Sequence, residues 1–319
     1  MASLKDKVQN ALDEGRMLIL GSQVLLGFQF RSVFEPGFEK LPEYSQYLKL
    51  VGLILMLIAI VLLMWPAAYH RVVAEGEDTQ EVHNFTSSVM DWALLPFALG
   101  LALDLFVATE RVTGRAVAII SGIAGGAVAL FFWYVLPLIR RNARAPRIKE
   151  EQEMDEQKQE SGESKTKDKI KHALTEARMV LPGAQALLGF QFVTFLMEAF
   201  EKLPASSKLI HLASLALVAL SIILLMSPAA YHRIVEQGEE TEHFHRFASR
   251  MLLAAMFPLS LGMCGDLFVV VRKVTESIAS ALIASALMLF VFYGLWFGYT
   301  FYHRSQSRQR ARLRAPLTS

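Results

Sequence analysis

The sequence predicts an all-α integral membrane protein, with eight transmembrane helices arranged as two parallel four-helix repeats. Three observations predict it. The chain of 319 residues is 53% hydrophobic and only 19% charged, where soluble domains carry about 25% charged residues. Its apolar residues fall in runs of about 20, the length that crosses a bilayer. And the sequence aligns on itself without a gap at a shift of 162 residues.

Eight apolar stretches are long enough to span, at roughly 17–34, 48–69, 89–109, 116–138, 179–196, 209–231, 251–271 and 279–301. The stretches at 17–34 and 179–196 are the least apolar, each holding two glutamines: Gln23 and Gln29, Gln185 and Gln191. A soluble bundle with helices this apolar would lack the charged face that such helices present to water. The first sixteen residues, MASLKDKVQNALDEGR, have no apolar core of the signal-peptide kind.

The repeat sets the architecture. LLGFQF recurs at 25–30 and 187–192, FEKLP at 38–42 and 200–204, PAAYHR at 66–71 and 228–233, and DLFV at 104–107 and 266–269. About 52 of the 110 positions from Lys5 to Gly114 are identical to their counterparts. Four spans per unit return the chain to its starting side, so the copies are parallel. The units expected are 1–140 and 167–304, joined by a charged linker at 141–166 and followed by a basic tail at 305–319.

Charge placement sets the expected orientation in a cell membrane. With the N-terminus inside, about 23 of the 32 Lys and Arg lie in inner segments and about 7 in outer ones. Both termini and the linker are then cytoplasmic, and FEKLP faces outward. Trp133 and Tyr134, with Trp296, Tyr299 and Tyr302, are expected at the inner interface. The lipid bilayer is the expected partner and nucleic acid is not; the oligomeric state stays open. The single cysteine, Cys264, cannot form an intramolecular disulfide.

Polar residues inside spans carry the functional information, because an ionised group there costs several kcal/mol unless paired or wetted. Asp104 and Asp266 are such residues, in the third span of each unit. They read either as an ion or proton site or as carboxylates reaching headgroup water, with Arg111 a further ion-pair partner for Asp104. Gln29 and Gln191 are candidates for the same site, or for bonds between helices. Pro96 and Pro258 interrupt the same spans.

The third group lies between the second and third spans. His70, Glu77 and His83 recur as His232, Glu239 and His245, with His243 added in the second unit. Imidazole and carboxylate suit a divalent metal, the one cofactor open to this chain. The alternative is a salt-bridged, N-capped connection. No HExxH, paired CxxC, phosphate loop or nucleophile elbow accompanies them.

LPGAQALLGFQF at 181–192, FEKLP at 200–204, PAAYHRIVEQGEETEHFHRFASR at 228–250 and DLFVVVRK at 266–273 resemble a bacterial family of small four-span membrane proteins, catalogued as a domain of unknown function. The resemblance covers nearly all of the second unit and reaches the first through the repeat. It implies a fold and a membrane location, not an activity. The sequence leads to an ion or small-solute transporter or channel, with repeated carboxylates that suit proton coupling. Its alternatives are a non-catalytic membrane scaffold or stress-related protein and a metal-binding membrane enzyme using the histidine segments.

Overall fold

A computed structural model describes residues 4–75, 77–142, 180–237, 239 and 241–294. Among these the chain is helical, with no strand. In the first repeat α1 spans Leu4–Ser32, α2 Glu43–Val72 and α3 Gln80–Thr113. The fourth, α4, runs over Arg115–Asn142 and widens into a π-turn at Phe131–Val135. In the second repeat α5 is Val180–Thr194, α6 Ala205–Ile234, α7 Glu242–Thr275 and α8 Ile278–Tyr293, with one helical turn at Glu198–Glu201. The expected linker and tail, with Trp296, Tyr299 and Tyr302, lie outside the described residues.

Among the described residues five helices are long and apolar enough to cross a membrane: α2, α3, α4, α6 and α7. Both α5 and α8 are apolar but shorter in their described parts. The helix that holds the stretch 17–34 starts at Leu4 and is not among the five. It turns Asn10, Glu14, Ser22, Gln29 and Ser32 inward, all buried against the rest of the chain.

The connections repeat as faithfully as the helices. Thr79 and Thr241 cap α3 and α7, their hydroxyls accepting from Val82 N and Phe244 N. Glu75 and Gln237, equivalent positions, both adopt a left-handed backbone. The histidine segments expected as loops at 70–88 and 232–250 are therefore mostly helix ends. His70 and His232 lie in the last turns of α2 and α6; His83 and His245 lie in the first turns of α3 and α7.

Small residues bring helices together. A Cβ on Gly100 would lie 3.4 Å from Gly52 O, and one on Gly262 2.9 Å from Ser214 O, the equivalent position. Gly122 and Gly126 pack α4 on α3 around Ala102. The helices run through Pro66, Pro96, Pro228 and Pro258. Each proline removes one backbone donor from its helix. Tyr134 donates to Asp91 O, and Trp133 Nε1 donates to Ile223 O of the second repeat at 2.9 Å. Trp133 is fully buried, so its ring packs inside the protein rather than standing exposed as an interfacial anchor.

The repeats meet through α1 and α5, and through α3 and α4 against α6. Phe28 and Phe190, equivalent residues, meet as tilted rings with centroids 4.1 Å apart, and Gln185 packs directly over Gly21. At the FEKLP end, Gly37 N donates to Leu196 O at 2.8 Å. Lys40 Nζ reaches Glu201 at 2.7 Å, and Arg111 pairs with the same carboxylate.

Two outcomes are expected at this link. A Cβ at Gly37 would lie 2.4 Å from Leu196 O, whereas one at Gly27 meets nothing. Gly37→Ala should lower stability in detergent by about 1–3 kcal/mol through the lost backbone bond, with Gly27→Ala unaffected or slightly stabilised; equal unfolding midpoints would remove this contact from the account. The hydrogen bond from Lys40 holds the Glu201 carboxyl below its ordinary 4.5. A lowered folded-state pKa stabilises above the unfolded-state value and is lost as pH falls through the folded one. The stability difference between the natural chain and Glu201→Gln should be constant above pH of about 5 and vanish in stronger acid.

Candidate functional site

Each third helix carries one carboxylate that its own repeat encloses. Asp104, 4% exposed, receives Lys49 Nζ of α2 on Oδ1 at 2.7 Å and Gln29 Nε2 of α1 on Oδ2 at 2.5 Å. Asp266 receives Gln191 Nε2 of α5 on Oδ2 at 2.6 Å and faces His211 Nδ1 of α6 across 2.8 Å from Oδ1. The glutamine precedes the aspartate by 75 residues in both cases and the second partner by 55. Two equivalent three-helix clusters result, Gln29–Lys49–Asp104 and Gln191–His211–Asp266.

The orientation of each amide follows from chemistry. A carboxylate requires a donor, so Nε2 must face it. That leaves Gln29 Oε1 and Gln191 Oε1 buried without a donor.

The two clusters differ in their counter-charge and surroundings. Lys49 is an ammonium, buried with its partner, and it also lies 5.6 Å from the Phe192 ring centroid of the other repeat. His211 instead places Nδ1 on the Asp266 carboxylate and Nε2 3.3 Å from Gln191 O, between the rings of Phe195 and Phe200. Both neighbours are acceptors, so the doubly protonated ring satisfies both. The Asp266 side chain is 21% exposed, against 4% for Asp104. Beside it the packing is exchanged: Gly52 against Leu103 in the first repeat becomes Ser214 against Gly265 in the second.

One expectation for the aspartates is corrected. Arg111 does not pair with Asp104; its partner is Glu201, across the repeats, because Lys49 already fills the place beside the carboxylate. Each carboxylate's described bonds stay within its own repeat, and the equivalent residues found in contact are Phe28 and Phe190 of the first helices. Sequence reasoning missed Lys49 and His211 as partners. The signal was present: they occupy equivalent positions in apolar helices, each basic, in two repeats that share an intramembrane acid.

The histidine segments form a different arrangement. Glu14 of α1 is buried and accepts from His232 Nδ1 at 2.6 Å and Arg233 Nη1 at 3.1 Å, both of α6. Arg233 Nε also reaches Asp91 Oδ1 of α3 at 2.8 Å. Lys7 pairs with Glu239 at 2.6 Å. His83 is buried against the Gln237 backbone, and His243 meets Tyr231 and Glu236. His70 lies 3.6 Å from Asp78. The Nδ1 of His245 is buried without a bond. Glu77 borders a shallow cavity of about 270 Å³ with Tyr69, Glu75 and Glu81. The seven residues read as metal ligands are thus dispersed: His70, His232, Glu239 and His243 belong to four separate ion pairs, and Glu77, His83 and His245 to none of these. Among the described residues no three His, Cys, Asp or Glu side chains converge on a place for an ion. Their spacing follows helix ends, and helix ends point His70, His83, His232 and His245 at different neighbours.

Removing one partner of a buried ion pair leaves a bare charge, at a cost of about 3–5 kcal/mol. Lys49→Met should lose stability on that scale, and adding Asp104→Leu should recover most of it, because both charges are then gone. Unfolding of the purified protein in detergent measures this; a double variant no more stable than the single one would contradict the ion-pair account.

No curated protein and no solved structure matches this chain. One family profile matches it twice, over residues 3–137 and 159–300. Two matches to one profile, in register with the internal repeat, cover most of the sequence. The chain belongs to the family of unknown function DUF6328 and carries it as a tandem duplication.

Proposed function

We propose that this protein is an eight-span protein of the cell membrane, with both termini cytoplasmic, that moves an ion or small solute in a proton-linked manner. The exchangeable proton is carried at Gln191–His211–Asp266. One observation carries the reading: the same Gln–Asp pair is closed by a lysine in one repeat and by a histidine in the other. Imidazole is the side chain that changes charge between pH 5 and 8, and an ammonium is not. When His211 releases its proton, Asp266 is left as a partly exposed charge held by one glutamine, a costly state in apolar surroundings. Conformations that wet the carboxylate or bring it a solute are then favoured. The charged neighbours of His211 are Asp266 from α7 and, beyond the Phe200 ring, Lys208 of its own helix; Gln191 is the polar group from α5.

The second reading is a membrane scaffold in which both clusters only join helices. It is favoured by the position of the two described cavities, of about 270 and 350 Å³, neither of which is lined by Asp104 or Asp266. A metal-dependent enzyme has no comparable support.

Proteoliposomes enclosing a pH-reporting dye separate the two. Proton flux under a pH gradient should appear with the natural protein and lose its pH dependence in His211→Gln and Asp266→Asn. Liposomes as tight as empty ones would leave the scaffold. For the topology, Lys40→Cys and Lys202→Cys should react with an impermeant thiol reagent on intact cells; reaction of Ser161→Cys in the linker instead would reverse the orientation.

A further inference from the structure

We infer that the duplication is functionally asymmetric: Lys49 is a built-in counter-ion that takes the first cluster out of proton exchange, leaving one live site per chain, at His211. The inference rests on the reading of Gln191–His211–Asp266 as a proton site, and it names the residue that decides which repeat exchanges.

Three independent observations converge on Lys49. The first is positional. Lys49 and His211 are equivalent in the repeat, both buried, and both set against the Oδ1 of their aspartate, while the opposing glutamine is unchanged. The only chemical difference among the three polar groups of each cluster is an ammonium for an imidazole. The second is access. The Asp104 side chain is 4% exposed and that of Asp266 21%. A group that exchanges a proton cannot be wholly enclosed, and of the two carboxylates only the second is partly exposed. The third is the packing beside the acid. In the first repeat Leu103 precedes Asp104, and its Cβ lies 3.8 Å from where a Cβ on Gly52 would stand. In the second, the residue before Asp266 is Gly265, and the facing residue is Ser214, whose hydroxyl lies 2.1 Å from where a Cβ on Gly265 would stand and donates to Ile210 O. A leucine beside one acid is thus replaced by a glycine beside the other.

Lys49 is further fixed from the opposite repeat. Its ammonium faces the Phe192 ring of α5, next in sequence to Gln191, which bonds Asp266. The locked site therefore braces the helix that supplies the amide of the live one. His211 has no such tie to the first repeat: its described contacts, Gln191, Phe195, Phe200 and Asp266, all belong to the second.

The experiment exchanges the two residues. Difference potentiometry between pH 8 and pH 5 on the purified full chain in detergent counts protons. His211→Lys should take up one proton fewer than the natural protein, and Lys49→His one more. In proteoliposomes His211→Lys should abolish the pH dependence of proton flux. Monodisperse elution shows which variants have folded, and His211→Lys alone suffices should Lys49→His aggregate, since it rebuilds the pair already present in the first repeat. An unchanged proton count in folded His211→Lys would overturn the inference, as would a folded Lys49→His that gains none. Failure of the transport reading looks different: the proton counts shift as stated while the natural protein carries no flux.

Discussion

An acid on the third helix of each repeat, facing the protein rather than the bilayer, is the constraint around which the rest of the structure is arranged. An uncompensated carboxylate in apolar surroundings is expensive, so three helices must approach within hydrogen-bond reach. The first supplies an amide, the second a cation or imidazole, the third the acid. This requirement explains the close crossings at Gly100 against Gly52 and Gly262 against Ser214, which lie within a turn or so of the acids. It also explains why the first helix of each repeat carries a glutamine where lipid-facing sequence would not.

The first helix is less apolar than α2, α3 and α4 and is bonded to both repeats. Its polar residues are spread along its length: Glu14 toward Arg233 and His232 at one end, Gln29 toward Asp104 at the other. Phe28 and Gly21, between and beside them, meet the second repeat. The helix thus links the first repeat's own ion pair to the inter-repeat contacts. The reciprocal bonds at the two ends use different chemistry. At the histidine end two carboxylates, Glu14 and Asp91, hold one guanidinium; at the FEKLP end two cations, Lys40 and Arg111, hold one carboxylate. Asp91 has Leu253 as its counterpart, so the first of these links belongs to one repeat only.

Much of the fold was legible because apolar length and self-similarity are properties of the chain itself. The apolar cores of α2, α3, α4, α6 and α7 and the duplication are visible without any contact. The candidate site was half legible. Asp104, Asp266, Gln29 and Gln191 stand out as polar residues in apolar runs. Lys49 and His211 did not, since each sits near the start of its helix and reads as an interfacial charge or escapes notice. Only tertiary packing turns them toward the acid 55 residues on. The histidine segments misled for the converse reason. Residues clustered in sequence at two helix ends are separated by the turn between them, so His70 and His83 find different partners. Trp133 misled likewise: an aromatic ring at the end of a span suits the interface, but tertiary packing buries it and sets its N–H on Ile223 O of the other repeat.

Duplication relaxes a constraint that a single four-helix unit would face. If two separate copies associated as a symmetric dimer, any residue chosen for the counter-ion would appear in both halves. A lysine would secure both acids and permit exchange at neither; a histidine would leave both responsive to pH, and the assembly with them. Fusing the copies lets position 49 and position 211 diverge. The first can then hold its helices with a permanent charge while the second changes state. The same separation is visible next to the acids, where Gly52 and Leu103 of the first repeat stand against Ser214 and Gly265 of the second. The larger side chain sits on the third helix in one repeat and on the second helix in the other, so the two acids lie in differently packed surroundings although their glutamine is shared.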